Sequence, residues 1–325
     1  MHEQRRFNSE TNASTSITVD VKAFIDQRRM TSAQWLILGL LFCVVAFDGM
    51  DVAIMGFLAP SILQEWNTSP ANFGLVMSAA PFGLVFGALI AGPSSDRWGR
   101  KTVLTASVLL FGIFTIATAY THNLTEMAAL RFLTGLGLGA TMPNSTTLLP
   151  EYVPERSRSL LIAVMFTGFN LGSCIVGFVA AWLIPHYGWR SVLLVGGALP
   201  LVTAPTLLAL LPESVRFMVV RQHGSERIAK VLARICRTSF ADGTQFTSPE
   251  PPTFSKKPIG ILFSGNYGLM TVALWLTYFM GLMVIYLLTG WLPTLIKGAG
   301  LSTSTAANVT AMFQIGGTIG AIIVG

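Results

Sequence analysis

Charge is scarce in this chain. Charged residues make up 11% of its 325 positions, against roughly 25% in soluble domains. Hydrophobic residues make up 52%. A water-soluble fold of this size needs more charge to stay dissolved, so a soluble class is excluded. Cysteine is scarce too. Cys43, Cys174 and Cys236 form no C-x-x-C pair, which argues against a disulfide framework or a thiolate metal site and leaves small apolar fillers or a free thiol. No metal-ligand cluster, nucleophile–base pair or phosphate-binding loop stands out, so neither an enzyme nor a bound cofactor is expected. A cleavable signal peptide is missing as well. The first ~34 residues are polar, carry Arg5, Arg6, Lys22, Arg28 and Arg29, and read as a cytosolic tail. The net charge of +6 could suggest nucleic acid, but the basic residues sit in short loops between apolar runs, and no nucleic-acid partner is expected.

Those apolar runs dominate the chain. Hydropathy predicts eight spans, at about 35–58, 72–93, 102–121, 125–148, 160–184, 190–211, 266–291 and 304–325. The segments 1–34, 94–101, 149–159 and 212–260 hold 5, 3, 2 and 8 Lys or Arg, which is 18 of the 21. That asymmetry places these segments, and so the N-terminus, in the cytosol of a plasma (inner) membrane protein. The expected class is therefore all-α and polytopic. A tail (1–34), a six-helix bundle (35–211), a central loop (212–265) and a further pair of helices (266–325) follow in order. Six spans, a long basic loop and then more spans fit a fold of two six-helix halves around a midplane site. On that pattern the chain holds one whole half and the first two helices of the second, and is expected to be a monomer.

The most informative residues are Asp48 and Asp51. The first span, Trp35 to Leu58, holds no other charge. At ~1.5 Å per residue it crosses a ~30 Å hydrocarbon layer with Asp48 near mid-depth. A carboxylate there costs at least ~2.5 kcal/mol on insertion scales. Two of them, three residues apart on one helix face, point to the movement of something charged; a structural bond to a neighbouring helix is the alternative. Arg131, in the outer part of span four, is the only cation buried in the spans. It either faces water or a partner, or snorkels outward. Burial disfavours a carboxyl group's charged form and a nearby carboxylate adds to this, so Asp48 and Asp51 are candidates for holding a proton, with Arg131 beside them.

Further motifs lie in the loops and in the glycine pattern. After span two the chain reads Gly92-Pro-Ser-Ser-Asp96-Arg97-Trp-Gly99-Arg100-Lys101. Gly and Pro predict a tight turn. Asp96 is suited to a neighbouring helix N-terminus or an arginine, and the basic residues to an anionic membrane face. An anchoring loop would need no more. Span four opens Arg131-Phe-Leu-Thr-Gly135-Leu-Gly-Leu-Gly139, whose glycines permit close helix approach. Gly168, Asn170, Gly172 and Gly177 of span five are most simply packing contacts. Pro150-Glu151-Tyr-Val-Pro-Glu155-Arg156 and Pro212-Glu213-Ser214-Val-Arg216 are acidic–basic corners, suited to ion pairs or to helix capping.

Taken together these motifs resemble a known family. G-x-x-x-D-R-x-G-R-K is similar to the signature loop of the major facilitator superfamily, where it is a conformational latch. R-x-x-x-G-x-x-x-G resembles a second superfamily motif, associated with proton coupling. The Gly-Pro motif of superfamily antiporters is not found in span five, which leans to symport or uniport. Asp48-Gly49-Met50-Asp51 resembles the aromatic acid:H⁺ symporters, as do R-F-L-T-G-L-G-L-G-A-T-M-P-N from Arg131, T-T-L-L-P-E-Y-V-P-E-R from Thr146 and L-W-L-T-Y-F-M-G-L-M-V-I-Y-L-L-T-G-W-L-P from Leu274. The likeness covers about residues 17–325 and is nearest to transporters of 4-hydroxybenzoate and protocatechuate. It implies uptake of small aromatic carboxylates by alternating access. It also implies roles for Asp48, Asp51 and Arg131 in proton coupling, and for Asp96, Arg97, Gly99, Arg100, Glu151 and Arg156 in a latch. The proton is the only coupling ion expected. For the substrate ring and hydroxyl, Phe47, Phe82, Tyr278 and Tyr286, with Asn144, Asn170 and Gln314, are candidates, although for any one of them ordinary helix packing is the simpler explanation. Another organic anion, a sugar or a non-transporting aromatic-acid sensor are the alternatives; Asp-Gly-x-Asp argues against the sugar.

Overall fold

A computed structural model describes residues 18–241, 243–248 and 267–324. Helix dominates, because long runs of apolar residues can satisfy their backbone in oil only within a helix. The helices are α1 (Val21–Asp26), α2 (Ser32–Glu65), α3 (Pro70–Trp98), α4 (Arg100–Thr118), α5 (Leu124–Leu138), α6 (Thr141–Tyr152), α7 (Glu155–Tyr187), α8 (Trp189–Leu210), α9 (Val215–Val220), α10 (Ser225–Cys236), α11 (Tyr267–Gly298) and α12 (Thr303–Val324). Six of them, α2, α3, α4, α7, α8 and α11, are long and apolar enough to cross a membrane. Leu75, Phe86, Leu89 and Ile90 of α3 and Leu269, Leu276 and Leu287 of α11 lie exposed, an outward-facing apolar surface that suits lipid rather than water.

α2 is the axis of the bundle. It packs chiefly on α7, and also on α11 and α8. Its start is set by Thr31 and Gln34, which form a capping box. Two buried clusters lie along it. One, at the end carrying most Lys and Arg, includes Leu41, Val44, Leu149, Tyr152 and Leu207. The other includes Ile54, Phe57, Phe73, Met127 and Val192. Asp48 and Asp51 fall where the first gives way to the second.

Small residues bring the helices together. Gly135 of α5 faces the Ala80 carbonyl of α3, and Gly139, just past α5, faces that of Leu84; Gly83 and Gly87 of α3 face the carbonyls of Phe132 and Leu136. The glycine spacing read from span four thus meets a matching one in span two, and the two backbones touch. A side chain has no space here and the opposing atoms are backbone. Gly135→Val is therefore expected to destabilise the chain by about 3 kcal/mol or more, beyond ordinary overpacking. Size-exclusion profiles in detergent would show this as loss of the monodisperse peak.

Three features depart from the sequence reading. Span four, expected as one helix over 125–148, is broken between α5 and α6. Pro143 has no N–H to give the Gly139 carbonyl, and Ala140 N turns in to Gly137 O at 3.2 Å. The turn expected at Gly92-Pro93 lies inside α3, which runs on to Trp98; Gly99 alone, at φ +93°, makes the corner, a conformation suited to glycine. Finally, the expected all-α chain carries a small parallel sheet. β1 (Thr18–Asp20) pairs with β2 (Gln245–Thr247), tying the N-terminal segment to the central loop. Rings of Phe24 and Phe246 each sit 5.2 Å from Phe240. In α10, Ile228, Leu232 and Ile235 are buried, so much of this loop is folded against the bundle. Cys236 is buried with them. Burial pushes its thiol up, against the pull of Arg28, as for an inert apolar filler.

Candidate functional site

Asp51 and Arg131 form a buried ion pair. Arg131 is 0% exposed and Asp51 5%. Arg131 Nη1 donates to Asp51 Oδ2 at 3.0 Å and Oδ1 at 3.1 Å. Nη2 donates to Thr115 Oγ1 and Thr134 Oγ1, both at 3.0 Å. Each hydroxyl then has one proton to place. Thr115 donates to Asp51 Oδ1 at 2.6 Å, and Thr134 to the Leu130 carbonyl at 2.9 Å. Every partner of Asp51 is a donor, as an ionised carboxylate requires. α2, α4 and α5 converge here, so the pair is held from three sides.

Asp48, one turn earlier on α2, is in a different position. It is 2% exposed and has no cation beside it among the described residues. Its Oδ2 lies 2.9 Å from Thr141 Oγ1, while Oδ1 has no partner among the described residues. The two aspartates, read from sequence as one proton-linked element with Arg131, are separated in the fold. Asp51 is charge-paired, and Asp48 stands against a hydroxyl of the broken span.

A cavity of about 390 Å³ opens beside the pair. Asp51 and Arg131 line it, with Met55 from α2, Met77, Pro81 and Phe82 from α3, Leu138 from the end of α5, and Met283, Tyr286, Thr289 and Trp291 from α11. Its wall is mostly apolar, apart from one ion pair, the Tyr286 phenol, the Ser78 and Thr289 hydroxyls and the Trp291 indole. That composition suits a flat ring carrying a charged group. Of the ring and hydroxyl candidates, Phe82 and Tyr286 line the cavity. Gln314 reaches it only through Thr289, whose Oγ1 accepts from Nε2 at 3.4 Å. Phe47 packs against both core clusters. Asn144 is spent on Ser95, 2.6 Å, and the Ala140 carbonyl, 2.7 Å. Tyr278 is 65% exposed, and Asn170 is half-buried away from the cavity. Met77 lies in no motif, and Met283 and Thr289, though inside the stretch from Leu274 to Pro293, are not singled out within it as ring or hydroxyl partners.

The residues read as a latch gather at the basic end. Arg100 is ion-paired with Glu151 and its Nη1 is 3.2 Å from Ser214 Oγ. Ser214 in turn donates to Glu151 Oε2 at 2.5 Å. Glu213 Oε1 accepts from the amides of Lys101, at 3.1 Å, and Ser214, at 2.9 Å, and its carboxylate fills the space beside Gly99. The N-terminus of α4 is thus covered by Glu213. Asp96, to which the sequence reading gave such a role, has its carboxylate exposed and offers its backbone carbonyl to Arg221 at 2.7 Å. Arg97 is exposed near the Trp98 ring, and Arg156 reaches the Arg28 carbonyl at 3.2 Å. Glu213→Ala strands the Lys101 amide in the first turn of α4 and the Ser214 amide at the cap of α9, and is expected to cost about 1–3 kcal/mol, measurable as a lowered melting temperature in detergent.

Comparison with known proteins agrees with this architecture. The profile of the Major Facilitator Superfamily matches residues 41–325. The chain is 57% identical over 307 residues to the gallate transporter of Pseudomonas putida, spanning 94% of this chain and 68% of that protein. It is 54% identical over 308 residues to the 4-hydroxybenzoate transporter PcaK of Pseudomonas aeruginosa, spanning 94% and 69%. In fold it is similar to the xylose transporter XylE from E. coli in a partially occluded inward-open conformation, with a TM-score of 0.68 at 19% identity over 87% of this chain and 70% of that one. A superfamily match over most of the chain and relatives above half identity leave one conclusion: this chain belongs to the major facilitator superfamily, within its family of aromatic-acid transporters, and is a transporter rather than an enzyme.

Proposed function

We propose that this chain carries a small aromatic carboxylate, of the 4-hydroxybenzoate, protocatechuate or gallate kind, into the cell together with a proton. The buried Asp51–Arg131 pair on the cavity wall carries this reading. An uncompensated charge in oil costs several kcal/mol. Arg131 therefore needs one anion at all times, and two candidates compete for it: Asp51 and the substrate carboxylate. When the substrate takes Arg131, Asp51 is left without a cation and takes a proton. Substrate and proton then travel as a neutral pair, and release of one favours release of the other. The ring lies among Met77, Phe82 and Met283, and its hydroxyls reach Tyr286 and Thr289. The names of the relatives, gallate and 4-hydroxybenzoate transporters, support the choice of cargo.

The basic end faces the cytosol of an inner membrane, as the distribution of Lys and Arg favours. α2 to α8 form the first six-span half, with α5 and α6 sharing one crossing. α11 and α12 begin the second, and the Arg100–Glu151–Ser214–Glu213 cluster holds the inward face until the halves rock. The experiment is uptake of labelled 4-hydroxybenzoate and gallate into proteoliposomes with an acidic exterior. Uptake abolished by a protonophore and competed by ring-substituted benzoates, but not by glucose, supports the proposal. Uptake indifferent to the protonophore, or binding without flux, overturns it.

A further inference from the structure

Thr141 Oγ1 lies between two oxygens. It is 2.9 Å from Asp48 Oδ2 and 2.6 Å from the carbonyl of Leu138. A hydroxyl has one proton, so it serves one of them at a time. If it donates to Leu138, the contact with Asp48 holds only when Asp48 carries the proton and donates to Thr141. If Asp48 is ionised, the hydroxyl turns to the carboxylate and Leu138 loses that bond. Leu138 is the last residue of α5, at the break in span four. The backbone bonds across the break run from Gly139 to Gly135 and from Ala140 to Gly137, and the Thr141 hydroxyl is what reaches Leu138. Back-bonding by a threonine bends a helix at that point. Leu138 also lines the cavity, and Arg131 lies two turns earlier on the same helix.

From this geometry we infer that Thr141 is a positioning residue: its hydroxyl reports the protonation of Asp48 to the α5–α6 break, and through α5 to the Arg131–Asp51 pair. The inference rests on the proton-coupled reading above and adds a second proton-sensing point to it. Protonated Asp48 closes the chain Asp48 to Thr141 to Leu138, and the break is braced. Loss of that proton reverses the hydroxyl and loosens the end of α5, the helix that carries the substrate's cation. The groups that bear on Asp48 are Asp51 on its own helix, Tyr286 from α11 and Thr141 from α6, with Arg131 behind Asp51. Among the described residues α7 brings Ser173 to this stretch, through the Gly49 carbonyl at 2.7 Å, and no charged group.

The test uses the full chain in proteoliposomes, with two readouts. In infrared spectra the wild type shows a hydrogen-bonded protonated carboxyl band that Asp48→Asn removes and Thr141→Val moves to higher frequency. In labelled 4-hydroxybenzoate uptake, Thr141→Val shifts the pH midpoint about one unit to the alkaline side, because the ionised form loses its one donor among the described residues, while Thr141→Ser keeps the wild-type midpoint. A merely structural role for Thr141 would change yield or maximal rate and leave band and midpoint in place. Asp48→Asn uncoupled while Thr141→Val keeps both the wild-type band and midpoint overturns the inference and leaves the proposed function standing. Asp48→Asn with normal proton-driven uptake overturns Asp48's share in coupling, and the inference with it. Should Thr141→Val fail to fold, the wild-type band alone decides: its absence, or its persistence in Asp48→Asn, refutes the inference.

Discussion

Replacing Asp51 with asparagine leaves a protein that binds aromatic carboxylates and cannot concentrate them. A pH difference of two units supplies about 2.7 kcal/mol per coupled proton, or roughly 100-fold accumulation. With the membrane potential collapsed, Asp51→Asn is expected to fall from that ratio to simple equilibration. Arg131, deprived of its partner carboxylate (3.0 Å in the wild type), is left as a buried charge. This costs the empty protein about 3–5 kcal/mol. The substrate carboxylate replaces the lost anion, so the variant melts early when empty and recovers with 4-hydroxybenzoate by more than the wild type does. Its affinity also loses the dependence on pH that competition with Asp51 imposes. Melting curves with and without substrate, read beside gradient-driven uptake, check both halves of this expectation.

Removing the cation has the opposite signature. Arg131→Met keeps an unbranched side chain of roughly similar volume and deletes its charge. Among the described residues Asp51 then has only Thr115 as donor, and is neutralised by taking a proton. The substrate carboxylate has no counter-charge left among the described residues of the cavity. Truncating one side of a buried charge pair costs about 2–5 kcal/mol, so affinity is expected to fall from roughly 30-fold to several thousand-fold. The double variant Asp51→Asn/Arg131→Met separates fold from function. A neutral, well-packed replacement of a buried pair is often as stable as the pair itself, so melting temperature returns while binding does not. If the double variant bound 4-hydroxybenzoate normally, the pair would be structural only. Equilibrium binding of labelled substrate in detergent measures this directly.

Much of this site was legible because oil makes charge conspicuous. Asp48, Asp51 and Arg131 stand out in spans that hold almost nothing ionisable, and Gly135 and Gly139 announced a close helix seam by spacing alone. What escaped detection is polar but uncharged. Thr115, Thr134 and Thr141 decide which aspartate is paired and which is not, yet a threonine in an apolar helix bonds its own backbone as readily as a partner, and sequence does not show which. Asp48 and Asp51 therefore read as one element, though a single turn of α2 aims them at different neighbours. The break in span four had a visible signal in Pro143, but hydropathy averages across a proline and kept the span whole. Two other features depend on distant pairings. β1 meets β2 across more than two hundred residues of chain, and Glu213 covers the start of α4 only once the sixth span has returned to the basic end. Neither leaves a local pattern.

The central claim is an exchange of anions on Arg131, in which the arriving carboxylate displaces Asp51 and Asp51 takes up a proton. Calorimetric titration of the protein with 4-hydroxybenzoate at neutral pH, repeated in buffers of different ionisation heat, counts the protons taken up on binding. The account predicts close to one proton per carboxylate in the wild type and none in Asp51→Asn. Binding by the wild type with no proton uptake would contradict it.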